Sequence, residues 1–229
     1  MSRAEGAPGV AHGLETVGFV LAGGQSSRMG EDKALIQLAG RPLVEHALSV
    51  LRQAGLAVLI AGARSSLKGF APVVEDAEPG LGPLQGICAA LASTPARRAV
   101  FITVDMPLLP VSLIRYLVHH AEITGSAVTV PSLNGFAQTF PAVVDRAVLP
   151  HLQKDLEAGR GGCFSSFQVA AATMGRPMSV VPVELMVQIG KVAHPNGLPA
   201  ALWFLNINTP QDLRRAEGLS GNLCGAPIA

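Results

Sequence analysis

The chain has 229 residues, 14% of them charged and 49% hydrophobic, with a net charge of +1. This is enough apolar material for one large core and argues against disorder, and the near-neutral balance leaves no electrostatic footprint for nucleic acid or an anionic membrane. Mean hydropathy is +0.39, yet no uninterrupted apolar run approaches a membrane span, and Met1 to Thr16 lacks the apolar stretch of a secretory signal, so a cytoplasmic location is expected.

The pattern predicts a flexible tail over 1–16, one folded unit over 17–219 and a frayed tail over 220–229. Val17 to Leu21 is a short apolar run that reads as a buried strand. Arg41 to Ala54 carries apolar residues at helical spacing and stops at Gly55. Leu56 to Ile60 reads as a strand, Val73-Val74 as a shorter one, and Pro83 to Ala92 as a helix. Ala99 to Val104 is the strongest strand signal in the chain. A helix over Val111 to Thr124 follows, ended by Gly125, and then a strand over Ala127 to Val130. This βαβα order implies a Rossmann-like α/β fold, with a mostly parallel sheet between two helical layers.

The signal is less regular after 131. Ser132 to Thr139 reads as a loop and Phe140 to Val144 as a strand. Helices are expected around Asp145 to Glu157 and Phe164 to Thr173, and a strand at Ser179 to Val183. Glu184 to Pro199 has no clear pattern. A last strand is predicted at Leu202 to Ile207, leading into a helix from Pro210.

The loop after the first strand carries the chemistry. It holds Gly23, Gly24 and Gly30 together with Arg28 and Lys33. Glycines let successive backbone N–H groups face one concavity, and guanidinium and ammonium groups balance polyphosphate charge. The spacing is neither a P-loop, since Glu31 follows Gly30, nor a dinucleotide fingerprint. In open parallel sheets ligands sit beyond the carboxyl ends of the strands, where Asp76 and Asp105 also arrive. Asp105, followed by Met106-Pro107, is well placed to fix Mg²⁺ against phosphate oxygens. From the pattern alone it could equally cap a turn, and for Asp76 the turn reading is the stronger. Cys88, Cys163 and Cys224 are odd in number and lack metal-binding spacing, so buried free thiols are expected.

The segment Leu21-Ala-Gly-Gly-x-Ser-x-Arg-Met-Gly-x-Asp-Lys33 resembles the opening motif of the molybdenum cofactor guanylyltransferases, whose nucleotidyltransferase relatives more often carry Leu-Ala-Ala-Gly-x-Gly-x-Arg-Met. Asp76 ahead of Gly82-Pro83-Leu84-Gln85-Gly86, Asp105-Met106-Pro107 and the closing run Asn206-Ile-Asn208-Thr-Pro-Gln-Asp212 extend the likeness. Two positions depart from it. Ala61 stands where the family often has an Asn near the nucleotide, and Gln138-Thr139 stands where a His-Pro or Gln-Pro pair is common.

The resemblance implies GMP transfer from GTP to the phosphate of molybdopterin, with Mg²⁺ held by Asp105. It implies Arg28 and Lys33 on the triphosphate and the leaving pyrophosphate. Leu21, Ala22, Gly23 and Gly24 would offer backbone to the nucleotide, and Asp76 would hold the nucleoside. Asn208 and Gln138 would lie on the acceptor or pyrophosphate side. The nucleotide half would be about 17–130 and the acceptor half about 131–219, with molybdoenzyme maturation proteins as conceivable partners. Two other readings stay open: a cytidylyltransferase of the same fold, and a non-catalytic GTP-binding maturation factor.

Overall fold

A computed structural model describes residues 15–22, 32–62, 65–75, 82–160 and 162–220. The elements in chain order are β1 (Thr16–Leu21), β2 (Gln37–Leu38), β3 (Arg41–Pro42), α1 (Leu43–Gln53), β4 (Ala57–Ala61), β5 (Val73–Val74), α2 (Pro83–Ser93), β6 (Arg98–Thr103), α3 (Val111–Thr124), β7 (Val128–Leu133), β8 (Phe136–Ala137), β9 (Ala142–Asp145), α4 (Leu149–Glu157), α5 (Cys163–Thr173), β10 (Met178–Pro182), α6 (Val183–Gln188), α7 (Ala200–Trp203) and α8 (Pro210–Ser220).

The main sheet runs β10-β7-β9-β6-β1-β4-β5, with β8 paired to β7. β1 is parallel to both β4 and β6, β4 to β5 and β7 to β10, whereas β9 is antiparallel to β6 and β7. One helical layer contains α1 and α3, in contact with each other, and the other contains α2, α4 and α5. This is the expected three-layer architecture with a mostly parallel sheet.

β1 is the centre of the core. All six of its residues are buried, as suits a strand covered on both faces. Phe19 stacks on Phe101 of β6 at a 5.5 Å centroid distance. Gly18 faces α1, where an added Cβ would come 3.0 Å from Leu51 Cδ1, so a side chain there would collide with the helix. At the end of α3, Gly125 takes a left-handed φ of 64° and its N–H closes on Ala121, the stop that the sequence indicated. Opposite the C-terminal strand ends, Arg176 donates to Asp145 Oδ2 at 2.7 Å and to the Gly125 carbonyl at 2.7 Å, tying three loops together.

A second, smaller apolar cluster joins Ile36, Leu38 and Leu43 to Ile207 and Ala216, with Leu205 and Leu213 against it. It fastens the segment after the glycine loop to the end of the chain.

Three expectations are corrected. Leu202 to Ile207 is not a strand: the short helix α7 ends at Trp203 and an irregular segment follows. Its apolar residues fill the two cores from a loop, with Trp203 and Ile207 buried, so the run reflects burial rather than sheet pairing. Residues 132–139 contain the end of β7 and a tight turn into β8, with Asn134 and Gly135 at positive φ, the signature of a hairpin turn. Arg41 and Pro42 pair with β2 before α1 begins.

The close approach of β1 to α1 is testable. Gly18→Val should cost about 1–3 kcal/mol through overpacking. Combined with Leu51→Ala it should cost less than the sum of the two single losses, read from urea midpoints. Strict additivity would show that the two sites do not share this space.

Candidate functional site

At the C-terminal edge of the parallel strands, β1 hands over to the glycine loop. The Leu21 carbonyl accepts from Val104 N–H at 3.3 Å and Ala22 N–H donates to Ala61 at 2.9 Å. These bonds anchor the point where the loop departs. Gly23, Gly24 and Arg28 lie outside the described residues, as does Asp76 after β5.

Beyond the loop the chain re-enters with Asp32. Its carboxylate caps a single 3-10 turn over Lys33–Leu35 by accepting from Ala34 N–H at 3.1 Å, and the turn directs Lys33 back across the strand ends. The Lys33 ammonium donates to Asp105 Oδ2 at 2.9 Å and to Asn208 Oδ1 at 2.6 Å. Asp105 lies in the turn that follows β6, and Thr103, the last residue of the strand, donates its hydroxyl to Asp105 Oδ1 at 2.5 Å. The Asp105 carbonyl also accepts from Ile207 N–H at 2.9 Å. Residues far apart in sequence thus meet at one ammonium group.

The side chains of Lys33 and Asp105 are 20% and 22% exposed. That is enough for an incoming anion to reach them, and buried enough to hold one geometry. Beside this junction a cavity of about 440 Å³ is lined by Asp105, Thr103, Met106, Pro83, Gln138, Thr139, Phe140, Cys163 and Asn206. Asp105 belongs both to the cavity wall and to the Lys33 contact. Gln138 reaches the wall from the far side. Its backbone N–H donates to Pro131 at 2.8 Å and its side-chain amide to Phe136 at 3.1 Å.

Leu21, Ala22, Lys33, Asp105, Asn208 and Gln138 are therefore described, and Lys33, Asp105 and Asn208 are in direct contact. Thr103, Asn206 and Cys163 were missed by sequence reasoning. Thr103 had no legible signal, since it is the turn at Val104 and Asp105 that brings its hydroxyl to the carboxylate. Cys163 had none, because only the packing of α5 brings it to the cavity.

Among the described residues no cluster of three or more His, Cys, Asp or Glu could hold a metal. What is present is a pair of hard oxygens, from Asp105 and Asn208, converging on one positive charge. The ammonium stands where a cation would be stabilised. Few hard oxygen donors suit a divalent cation that completes its shell with water and phosphate. Among the described residues no helix is long and apolar enough to cross a membrane.

The model of the MobA-like NTP transferase domain matches residues 18–172. The chain belongs to this family. A molybdenum cofactor guanylyltransferase of Rhizobium johnstonii is 33% identical over 87% of this chain and 90% of its own length. A probable molybdenum cofactor guanylyltransferase of Pelotomaculum thermopropionicum is 28% identical over 91% and 95%. The crystal structure of molybdopterin-guanine dinucleotide biosynthesis protein A from Archaeoglobus fulgidus superposes with a TM-score of 0.70 at 23% identity, covering 89% of this chain and 98% of that one. The likeness to that structure confirms the NTP transferase fold.

Burial favours the protonated thiol at both Cys88 and Cys163. Burial pushes Cys88 up to about 11 and Cys163 up to about 12, so well under ~1% of either is thiolate at neutral pH. Iodoacetamide at pH 7.5 should leave both unmodified in the folded protein and label both in urea. Rapid labelling of Cys163 in the folded state would contradict its burial in the cavity wall.

Proposed function

We propose that the protein is a molybdenum cofactor guanylyltransferase, transferring GMP from GTP to the terminal phosphate of molybdopterin with release of pyrophosphate. The observation that carries this is the convergence of Lys33, Asp105 and Asn208 at the strand ends, in a family of NTP transferases whose similar members bear that name.

An acceptor phosphate oxygen forms a bond to the α-phosphorus of GTP as the bond from that phosphorus to the bridging β-oxygen breaks. The attacking oxygen is already anionic, so the protein needs neither a nucleophile nor a general base. Its work is to align two polyanions and to neutralise the charge that passes to pyrophosphate. Lys33 is assigned to the triphosphate and the leaving group, and Arg28 of the glycine loop to the same charge. Asp105, with Asn208 beside it, would hold Mg²⁺, which when bound supplies further neutralisation of phosphate oxygens. Thr103 fixes the Asp105 carboxylate through one oxygen and leaves the other for the cation side.

Gly23, Gly24 and the end of β1 at Leu21 and Ala22 are assigned to the nucleotide, and Asp76 to the nucleoside. The cavity wall at Gln138 is assigned to the acceptor. On this reading the nucleotide half is about 17–130 and the acceptor half about 131–219, except that Asn208 returns to the nucleotide side.

GTP with Mg²⁺ should raise Tm by about 5–10 °C at a hundred times its Kd, and CTP should not. Lys33→Ala and Asp105→Asn should each lower pyrophosphate release, with GTP and molybdopterin supplied, by about a hundredfold or more. A shift with CTP in place of GTP would reassign the base. A wild type that binds GTP but never releases pyrophosphate with the acceptor present would remove the transferase reading.

A further inference from the structure

Asn208 is held from two sides. Its side-chain Oδ1 accepts from Lys33 Nζ, and its backbone N–H donates to Asp212 Oδ2 at 3.0 Å. The same carboxylate oxygen accepts Thr209 N–H at 2.8 Å and the Thr209 hydroxyl at 2.8 Å, while Asp212 N–H donates to Thr209 Oγ1 at 3.2 Å. The reciprocal exchange between Thr209 and Asp212 is an ordinary capping box at the start of α8. The bond to Asn208 is not needed for that purpose. It reaches one residue beyond the cap and fastens the residue whose side chain meets Lys33.

On either side of this turn the chain is already fixed. Ile207 is fully buried and its N–H donates to the Asp105 carbonyl. Further along α8, Leu213 and Ala216 pack into the cluster with Ile36 and Leu38. Asn208 and Thr209 are the slack between these anchors, and Asp212 takes up that slack. The donors around the Asp212 carboxyl, the Thr209 hydroxyl foremost, hold it below the usual carboxylate range, so the acceptor is ionised at neutral pH. Asn208, Thr209 and Asp212 lie after residue 172, where the family match ends.

We propose that Asp212 is a positioning residue of the transfer site: it fixes Asn208, and Asn208 together with Asp105 fixes the Lys33 ammonium. The kinetic consequence rests on the nucleotidyl-transfer reading, but the geometric one does not.

The test uses the full chain and two readouts. The first is competitive acylation of lysines followed by mass spectrometry, comparing Lys33 with the exposed Lys154 and Lys191. The second is kcat/KM for pyrophosphate release from GTP and molybdopterin. Asp212→Ala should raise Lys33 labelling about tenfold and lower kcat/KM about tenfold, the worth of a hydrogen bond to a charged group. On an Asn208→Ala background, the same change should have little further effect on either readout, although its effect on Tm should persist.

Asp212→Glu preserves the capping box and keeps α8 folded should the alanine variant unfold. Its extra methylene displaces the carboxylate from Asn208, so Tm should be retained while Lys33 labelling rises. Wild-type labelling of Lys33 in both variants overturns the proposal. So does a loss of kcat/KM by Asp212→Ala that is undiminished without the Asn208 side chain. If the wild type releases no pyrophosphate, the transfer reading fails by itself, and the labelling still decides whether Asp212 holds Lys33.

Discussion

The site depends on one ionic junction, the Lys33 ammonium between Asp105 and Asn208. Its members lie 72 and 175 residues apart in sequence, so no local segment could form it. Its contribution to stability is modest, as expected of ion pairs that keep contact with water. Its value is geometric. A fully exposed lysine would sample many rotamers, and a fully buried pair would carry a desolvation cost and be closed to a polyanion. Held at about one-fifth exposure, the ammonium is both pointed and reachable.

Two packing units hold the junction from opposite sides. The large core fixes Asp105, because β6 is buried between β1 and β9 and cannot shift without moving the stacked Phe19 and Phe101. The small cluster fixes Lys33 and Asn208, because Ile36 follows the 3-10 turn of Lys33 and Ile207 precedes Asn208. The hydrogen bond from Ile207 to the Asp105 carbonyl and the Lys33–Asp105 pair join the two units. This explains why a chain whose strands β1, β4, β5 and β6 are complete by Thr103 still needs its last helix. α8 adds nothing to the sheet, yet it carries the apolar face that closes the small cluster.

The sequence was most legible where one physical demand acted alone. Strands covered on both faces must be apolar throughout, which made β1 and β6 plain, and Gly125 marked the end of α3 because a left-handed turn favours glycine. Lys33 could be singled out as a cation of the glycine-rich loop, whereas Asp105 needed the family resemblance, because the pattern alone left a turn cap equally open. The reading failed where two demands overlapped. Leu202 to Ile207 is mostly apolar because the end of α7 and the loop after it serve two cores, and a strand would have the same composition. Asp212 entered the sequence reading only as the end of the closing run, and in the structure it sits in the first turn of α8. That place concealed its bond to Asn208, since a sequence shows a cap but not what lies one residue beyond it.

The groups around the cavity also bear on how the proposed reaction can proceed. A double-displacement route would need a nucleophile on the protein. The Thr103 hydroxyl is committed to Asp105, and the Cys163 thiol is pushed up to about 12 by burial. Among the described residues, those lining the cavity include no histidine that could activate either one. A carboxylate paired with an ammonium group is a weak nucleophile toward phosphorus, because attack would give up the countercharge that Lys33 provides. The acceptor phosphate, by contrast, arrives already ionised. Direct in-line transfer is therefore the route these side chains favour for the proposed reaction, and it places the demand on alignment, the role proposed for the junction of Lys33, Asp105 and Asn208.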